Sequence, residues 1–130
     1  MKKKLKENFR DKRGRIVDIF TSQPKDHCTL VTFNKKAIRG NHFHKRSIQY
    51  DFIISGKLKM ITAKVDKNGK IIGKVKKEII SQNMLIEHKP YYAHAFKALE
   101  QSKMLAFVNG TRGGKNYEKD TFRLKDKLIT

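Results

Sequence analysis

The sequence predicts an all-β domain, a sandwich or small barrel with little helix. Short β-rich runs recur about every ten residues. Gly, Asn, Asp and Pro punctuate them, and no stretch sustains a helical period. "GRIVDIFT" (14–21) is the first expected strand, carrying Ile16, Val17, Ile19 and Phe20. "CTLVTFN" (28–34) sets Leu30 and Thr32 against Val31 and Phe33. "IQYDFIISG" (48–56) and "KLKMITAKV" (57–65) follow. "VDKNGKII" (65–72) contains Asn68-Gly69, a strong hairpin-turn pair. "KIIGKVKKEII" (70–80), "NMLIEH" (83–88), "AHAFKAL" (93–99) and "KMLAFVNG" (103–110) complete the set. Residues 1–9 form a basic segment, loose or helical, and residues 111–130 a polar tail that loops or waits for a partner. No composition shift divides residues 1–130, so one domain is expected, and a homodimer through open sheet edges.

The chain has 130 residues, with 31 Lys plus Arg against 12 Asp plus Glu, a formal charge of +19. Such a balance favours anionic partners. The excess is nearly all lysine and is spread along the chain, whereas nucleic-acid binders cluster arginine with aromatics on one face. Nucleic acid is therefore not the expected partner. The single cysteine, Cys28, excludes an internal disulfide and fits a reducing cytoplasm. No apolar run reaches the length of a membrane span, and no secretion signal is read in the basic N-terminus.

The chemistry is concentrated in "RGNHFHKRSIQYDFIISG" (39–56). Side chains alternate faces along a strand, so His42 and His44 point one way and Asn41 and Phe43 the other. A bend through Lys45-Arg46-Ser47 returns Gln49 toward the same point, and His94 in "KPYYAHAF" lies in a second β context. Such a group either holds a metal, moves a proton or packs. A metal would take His42, His44, Gln49 and His94; glutamine brings no charge, so no metal is the expectation, with a divalent ion the alternative. His27 and His88 have no place in the pattern and are read as surface or structural.

The segment resembles the first cupin motif at His42, His44, Gln49 and Gly56, with glutamine where that motif has glutamate. Pro90 and His94 resemble the second motif. "DKRGRIVDIF", "RGNHFHK", "HAFKALE" and "NYEKDTFRL" together resemble the RmlC-like cupins of nucleotide-sugar biosynthesis, the dTDP-4-dehydrorhamnose 3,5-epimerases and dTDP-4-keto-6-deoxyglucose 3,4-ketoisomerases. "GNHFH" and "ISG" also resemble the C-terminal cupin domains of capsular-sugar enzymes.

The resemblance implies a cupin double-stranded β-helix, a jelly-roll barrel with the site in its mouth. It implies an isomerase or epimerase acting on a nucleotide-diphosphate sugar, a 4-keto-6-deoxyhexose on the way to surface polysaccharide. His42 would be the base, His44 a second acid/base or the ring that orients the first, and Tyr117 the acid across the sugar. Arg39, with Arg13 and Lys45 as weaker candidates, would meet the diphosphate. Gln49, Tyr92 and His94 would shape the substrate site, Tyr92 at its mouth with Tyr91. Asp51, Glu118 and Asp120 are all candidates for the acidic partner of the base, and no motif decides among them. A metal-dependent cupin, either dioxygenase or small-molecule isomerase, and a non-catalytic sugar- or anion-binding module are the competing classes.

Overall fold

The computed structural model describes residues 1–109 and 119–130. Its strands are β1 (Lys2–Lys4), β2 (Phe9–Asp11), β3 (Gly14–Ile16), β4 (His27–Phe33), β5 (Ile38–Phe43), β6 (Gln49–Ser55), β7 (Lys57–Lys64), β8 (Lys76–Ser81), β9 (Met84–His88), β10 (Tyr92–Ala98), β11 (Ser102–Val108) and β12 (Phe122–Arg123). One five-stranded sheet has the order β1-β9-β6-β11-β4, the other β12-β5-β10-β7-β8, and β2 and β3 form a separate ribbon. From β4 to β7, and again from β8 to β11, the chain crosses from one sheet to the other at each step. That winding is the double-stranded β-helix expected from the sequence.

Alternation along the strands builds the interior. Leu58 and Met60 of β7, Phe96 and Ala98 of β10 and Ile80 of β8 meet Phe33, Ile53, Ile86 and Met104 from the opposite sheet. Phe33 and Phe96 contact across the gap, edge to face, with centroids 6.2 Å apart. Each such side chain, fully buried, contributes about 1.5–3 kcal/mol. This apolar layer fills one end of the barrel. The other end is polar: His42, His44, His88, His94, Gln49 and Asp51 are all buried there. A second apolar group, Phe43, Val65, Ala93 and Leu124 with Tyr91 and Phe122 against it, seals the outer face of β5 and β10 beneath the tail.

Gly56 turns β6 into β7 at a φ of +93°, and a Cβ there would overlap Ser102 and lie 2.6 Å from the Gln101 carbonyl. The expected hairpin turn is present at Asn68-Gly69, where Gly69 has a φ of +82° and its N–H donates to the Asp66 carbonyl.

Three expectations are corrected. The strand read over 14–21 stops at Ile16. Its apolar residues come in adjacent pairs rather than alternating, and Phe20 instead covers the outer face of the first sheet, edge-on to Tyr50 and Phe107. The N-terminal segment is neither helical nor loose throughout, because Lys2–Lys4 pair with Met84–Ile86 of β9 as an edge strand. The strand read from residue 70 begins only at Lys76. No helix among the described residues is long and apolar enough to cross a membrane.

Candidate active site

β5 and β10 lie side by side with His42 opposite His94. The register slips just after His94, where Gly40 sits at a φ of +92° against the neighbouring strand. A Cβ on Gly40 would lie 2.6 Å from the His94 carbonyl, so only glycine lets β5 approach this closely. The expected alternation holds: His42 and His44 face inward while Phe43 packs outside. The ring centroids of His42 and His44 are 5.0 Å apart, those of His42 and His94 4.7 Å, and those of His44 and His94 5.3 Å. Gln49, at the start of β6, pairs with His88 of β9.

A cavity of about 910 Å³ opens above this group. His42, His94 and Gln49 lie along it, with Phe33, Phe96 and Met104 on the apolar side and Arg39, Arg123 and Lys127 supplying cations. No Asp or Glu lines it among the described residues. The tail reaches this cavity because Asn41 ties it down: the Asn41 amide oxygen accepts from the Leu128 and Ile129 N–H groups, and its nitrogen donates to the Ile129 carbonyl. Arg39 donates from Nε to the Thr32 carbonyl at 3.1 Å, its guanidinium 5.5 Å from the Phe33 ring centre.

Hydrogen-bond roles fix the state of each imidazole. Arg123 donates to His42 Nδ1 at 3.0 Å. A guanidinium only donates, so that nitrogen carries a lone pair and His42 is neutral with its proton on Nε2. His94 lies 3.3 Å from the Tyr92 carbonyl through Nδ1, which therefore bears the proton. His94 Nε2 is buried with no hydrogen-bond partner among the described residues. Burial, above all, pushes His94 well below the ordinary imidazole value, and the neighbouring His88, His42 and His44 add to the effect. His44 faces the Asp120 main-chain carbonyl from Nδ1 at 2.8 Å and Gln49 Oε1 from Nε2 at 3.2 Å.

These roles test the metal reading. One nitrogen of each of His42, His44 and His94 falls within 4.8 Å of the others. A metal needs a lone pair from each ligand. His44 faces acceptors on both nitrogens, and the His42 Nδ1 lone pair is taken by Arg123, which leaves His94 Nε2. As hydrogen-bonded here, the residues do not fit a metal ion.

Sequence reasoning missed His88. It is 2% exposed, stacks on His94 with centroids 4.2 Å apart, and donates from Nε2 to Asp51 Oδ2 at 2.9 Å. Its partner Asp51, one of three acids the motifs left open, is 0% exposed and also accepts from Gln49. Asp120, another, accepts through its carboxylate from the main-chain N–H groups of Lys45, Arg46 and Ser47. No motif marks Asp51; a signal existed only in its position two residues from Gln49 on the same strand face.

Other expected residues lie elsewhere. Lys45 turns outward, its amine 4.2 Å over the Phe122 ring. Arg13 is exposed in the β2–β3 turn and paired with Asp11 at 2.7 Å. Tyr92 is two residues back along β10 from His94 and borders a different, smaller cavity of about 240 Å³, which His88 also lines. Tyr117 and Glu118 lie outside the described residues.

Comparison with solved structures finds the same barrel fold in several proteins. A dTDP-4-dehydrorhamnose 3,5-epimerase from Sulfolobus tokodaii superposes with a TM-score of 0.70 at 22% identity, over 94% of this chain and 80% of that one. QdtA, a sugar 3,4-ketoisomerase from Thermoanaerobacterium thermosaccharolyticum determined with TDP, gives 0.76 at 18% identity, over 97% of this chain and 88% of that one. The capsular polysaccharide assembling protein CapF of Staphylococcus aureus gives 0.66 at 17% identity, over 94% of this chain but 33% of its own. No curated protein matches the chain. The sequence profile of the polysaccharide biosynthesis C-terminal domain matches residues 9–122, nearly the whole barrel, and the chain belongs to that family.

Proposed function

We propose that this protein is an isomerase or epimerase of a nucleotide-linked 4-keto-6-deoxyhexose, nearest in kind to a dTDP-sugar 3,4-ketoisomerase, serving surface polysaccharide synthesis. The observation that carries the reading is the cavity itself. Neutral imidazoles line it, and Arg39, Arg123 and Lys127 surround it without an opposing carboxylate among the described residues. Such a pocket suits a ligand with an anionic diphosphate and an uncharged keto sugar. The named relatives, epimerases and ketoisomerases of dTDP-sugars, support the same substrate class.

The chemistry is a proton transfer at carbon next to a ketone. His42 starts neutral, as a base must. Its Nδ1 lone pair faces Arg123 at rest. Binding of the diphosphate draws Arg123 toward the phosphate oxygens, and Nδ1 then takes the proton from C3 of the 4-keto sugar. The electron pair flows to the C4 oxygen, giving an enediolate. The proton on the C3 hydroxyl passes to the C4 oxygen, and delivery of a proton to C4 completes the 3-keto product. Tyr117 is the proposed acid by resemblance. His94 and Gln49 shape the sugar site. No metal is required, and the working form is a homodimer in the cytoplasm.

The test is incubation with dTDP-4-keto-6-deoxyglucose in D2O. Deuterium appearing at C4 of a 3-keto product, lost in His42→Asn, supports the ketoisomerase. Deuterium at C3 or C5 without a shift of the ketone identifies an epimerase. No incorporation with any nucleotide-linked keto sugar sinks the enzyme reading in favour of a binding module.

A further inference from the structure

Two oxygens that only accept face the two ring nitrogens of His44. One is the Asp120 main-chain carbonyl, the other Gln49 Oε1. The Gln49 amide cannot simply be turned over. Its nitrogen donates to Asp51 Oδ1 at 2.8 Å, and the reversed amide would set two acceptor oxygens against each other. Asp51 is fixed in turn, because Oδ2 takes the His88 Nε2–H. An imidazole satisfies two acceptors only with a proton on each nitrogen.

We propose that Gln49, Asp51 and the Asp120 carbonyl hold His44 as an imidazolium, which makes His44 a positioning residue that keeps His42 neutral, and neither a metal ligand nor the proton carrier. His44 is 1% exposed, and a buried cation needs compensation. Asp51 and Asp120, themselves buried, supply negative charge from β6 and from the tail. Among the described residues, the other titratable or charged groups around it include His42 on β5, His94 on β10, His88 on β9 across Asp51, and Arg123 on β12. With Arg123 at Nδ1 and a cationic ring 5.0 Å away, His42 has a like charge on two sides and stays unprotonated.

Glutamine at position 49 now has a physical reason. It donates to Asp51 and accepts from His44 at once. A carboxylate there would lie against the Asp51 carboxylate. This inference deepens the isomerase reading and rests on it for its chemical purpose, but the protonation of His44 needs no substrate.

The experiment is a pH series of long-range 15N–1H spectra on histidine-labelled, ligand-free protein, with His44 assigned by its loss in His44→Gln. Both His44 nitrogens are expected to be protonated at neutral pH, titrating above the ordinary value near 6.5. The titration falls below that value in Gln49→Leu, which removes one acceptor, and stays above it in Gln49→Glu, which keeps one. A wild-type His44 with one bare nitrogen at pH 7 overturns the proposal, and does so even if the Leu variant fails to fold. Unchanged titration in a folded Gln49→Leu overturns it too. A protonated His44 in a protein without turnover refutes the isomerase reading alone; a neutral His44 in an active enzyme refutes this one alone.

Discussion

His88 and Asp51 form a fully buried pair, Nε2 to Oδ2 at 2.9 Å, on neighbouring strands of one sheet. Asp51 also anchors Gln49, so its loss strands two donors in the interior. Removing one partner of such a pair costs about 3–5 kcal/mol. Asp51→Ala is expected to lose that much in urea unfolding, far more than Asp51→Asn, which keeps an acceptor for His88. Equal losses would show that shape rather than hydrogen bonding dominates here.

Asp120 offers a pH-dependent prediction. Burial pushes its carboxyl up, but the main-chain N–H groups of Lys45, Ser47 and Arg46, with the Ser47 hydroxyl, together outweigh it and hold the carboxyl below the ordinary aspartate value of 3.8. A depressed carboxyl stabilises the fold above the ordinary value, and the contribution fades as pH falls through its own lower value. Asp120→Asn is expected to cost about 1–3 kcal/mol at pH 7. Its deficit against the natural protein should shrink below pH 3.8, as followed by thermal melts across pH.

Gly40 sets the spacing between the two histidine-bearing strands. Gly40→Ala brings a Cβ within 2.6 Å of the His94 carbonyl at a φ of +92°. It is expected to destabilise by about 1–3 kcal/mol and to reduce turnover more than binding, because His42 and His94 are displaced together. Separate kcat and KM measurements check this; a loss confined to KM would place the strain away from the chemistry.

Asn41 tests the tail. It adopts a φ of +56°, which glycine also accepts, so Asn41→Gly removes the clamp without straining the backbone. The loss is about 1–3 kcal/mol for three hydrogen bonds, and the tail should become sensitive to limited proteolysis. KM for the sugar nucleotide rises, since Lys127, next to the clamped Leu128, is no longer held beside the cavity.

If no metal takes part, dialysis against a chelator leaves turnover unchanged, and added Zn2+ or Fe2+ does not raise it. Stimulation by a metal, lost in His94→Ala, would return the trio to the role of ligands.

The barrel was legible because alternation is local. "IQYDFIISG", "KLKMITAKV" and "AHAFKAL" each carry their own inside and outside, and each became a strand close to its expected limits. The paired apolars of Val17 to Phe20 misled because Phe20 covers a sheet from outside, which no period encodes. In the site, His42, His44, Gln49 and His94 were legible because strand alternation and a family pattern coincide. His88 and Asp51 were not, because their pairing depends on the register between β6 and β9. Arg123 was hidden for a similar reason: it reaches His42 through a two-residue strand, far along the chain.

The division of the interior into an oily end and a polar end has a consequence for how such a protein can change. The cluster around Phe33, Ile53, Leu58 and Ile80 holds the sheets together and meets the imidazoles through Phe96, whose ring centre lies 5.8 Å from that of His88 and 5.9 Å from that of His94. Buried ionic groups contribute little net stability and are often replaced by apolar residues at no loss. The polar half is therefore free to drift where both partners of a contact change together, while the oily half keeps the barrel folded. A scaffold of this kind can change what its polar end binds or does without first passing through an unfolded ancestor.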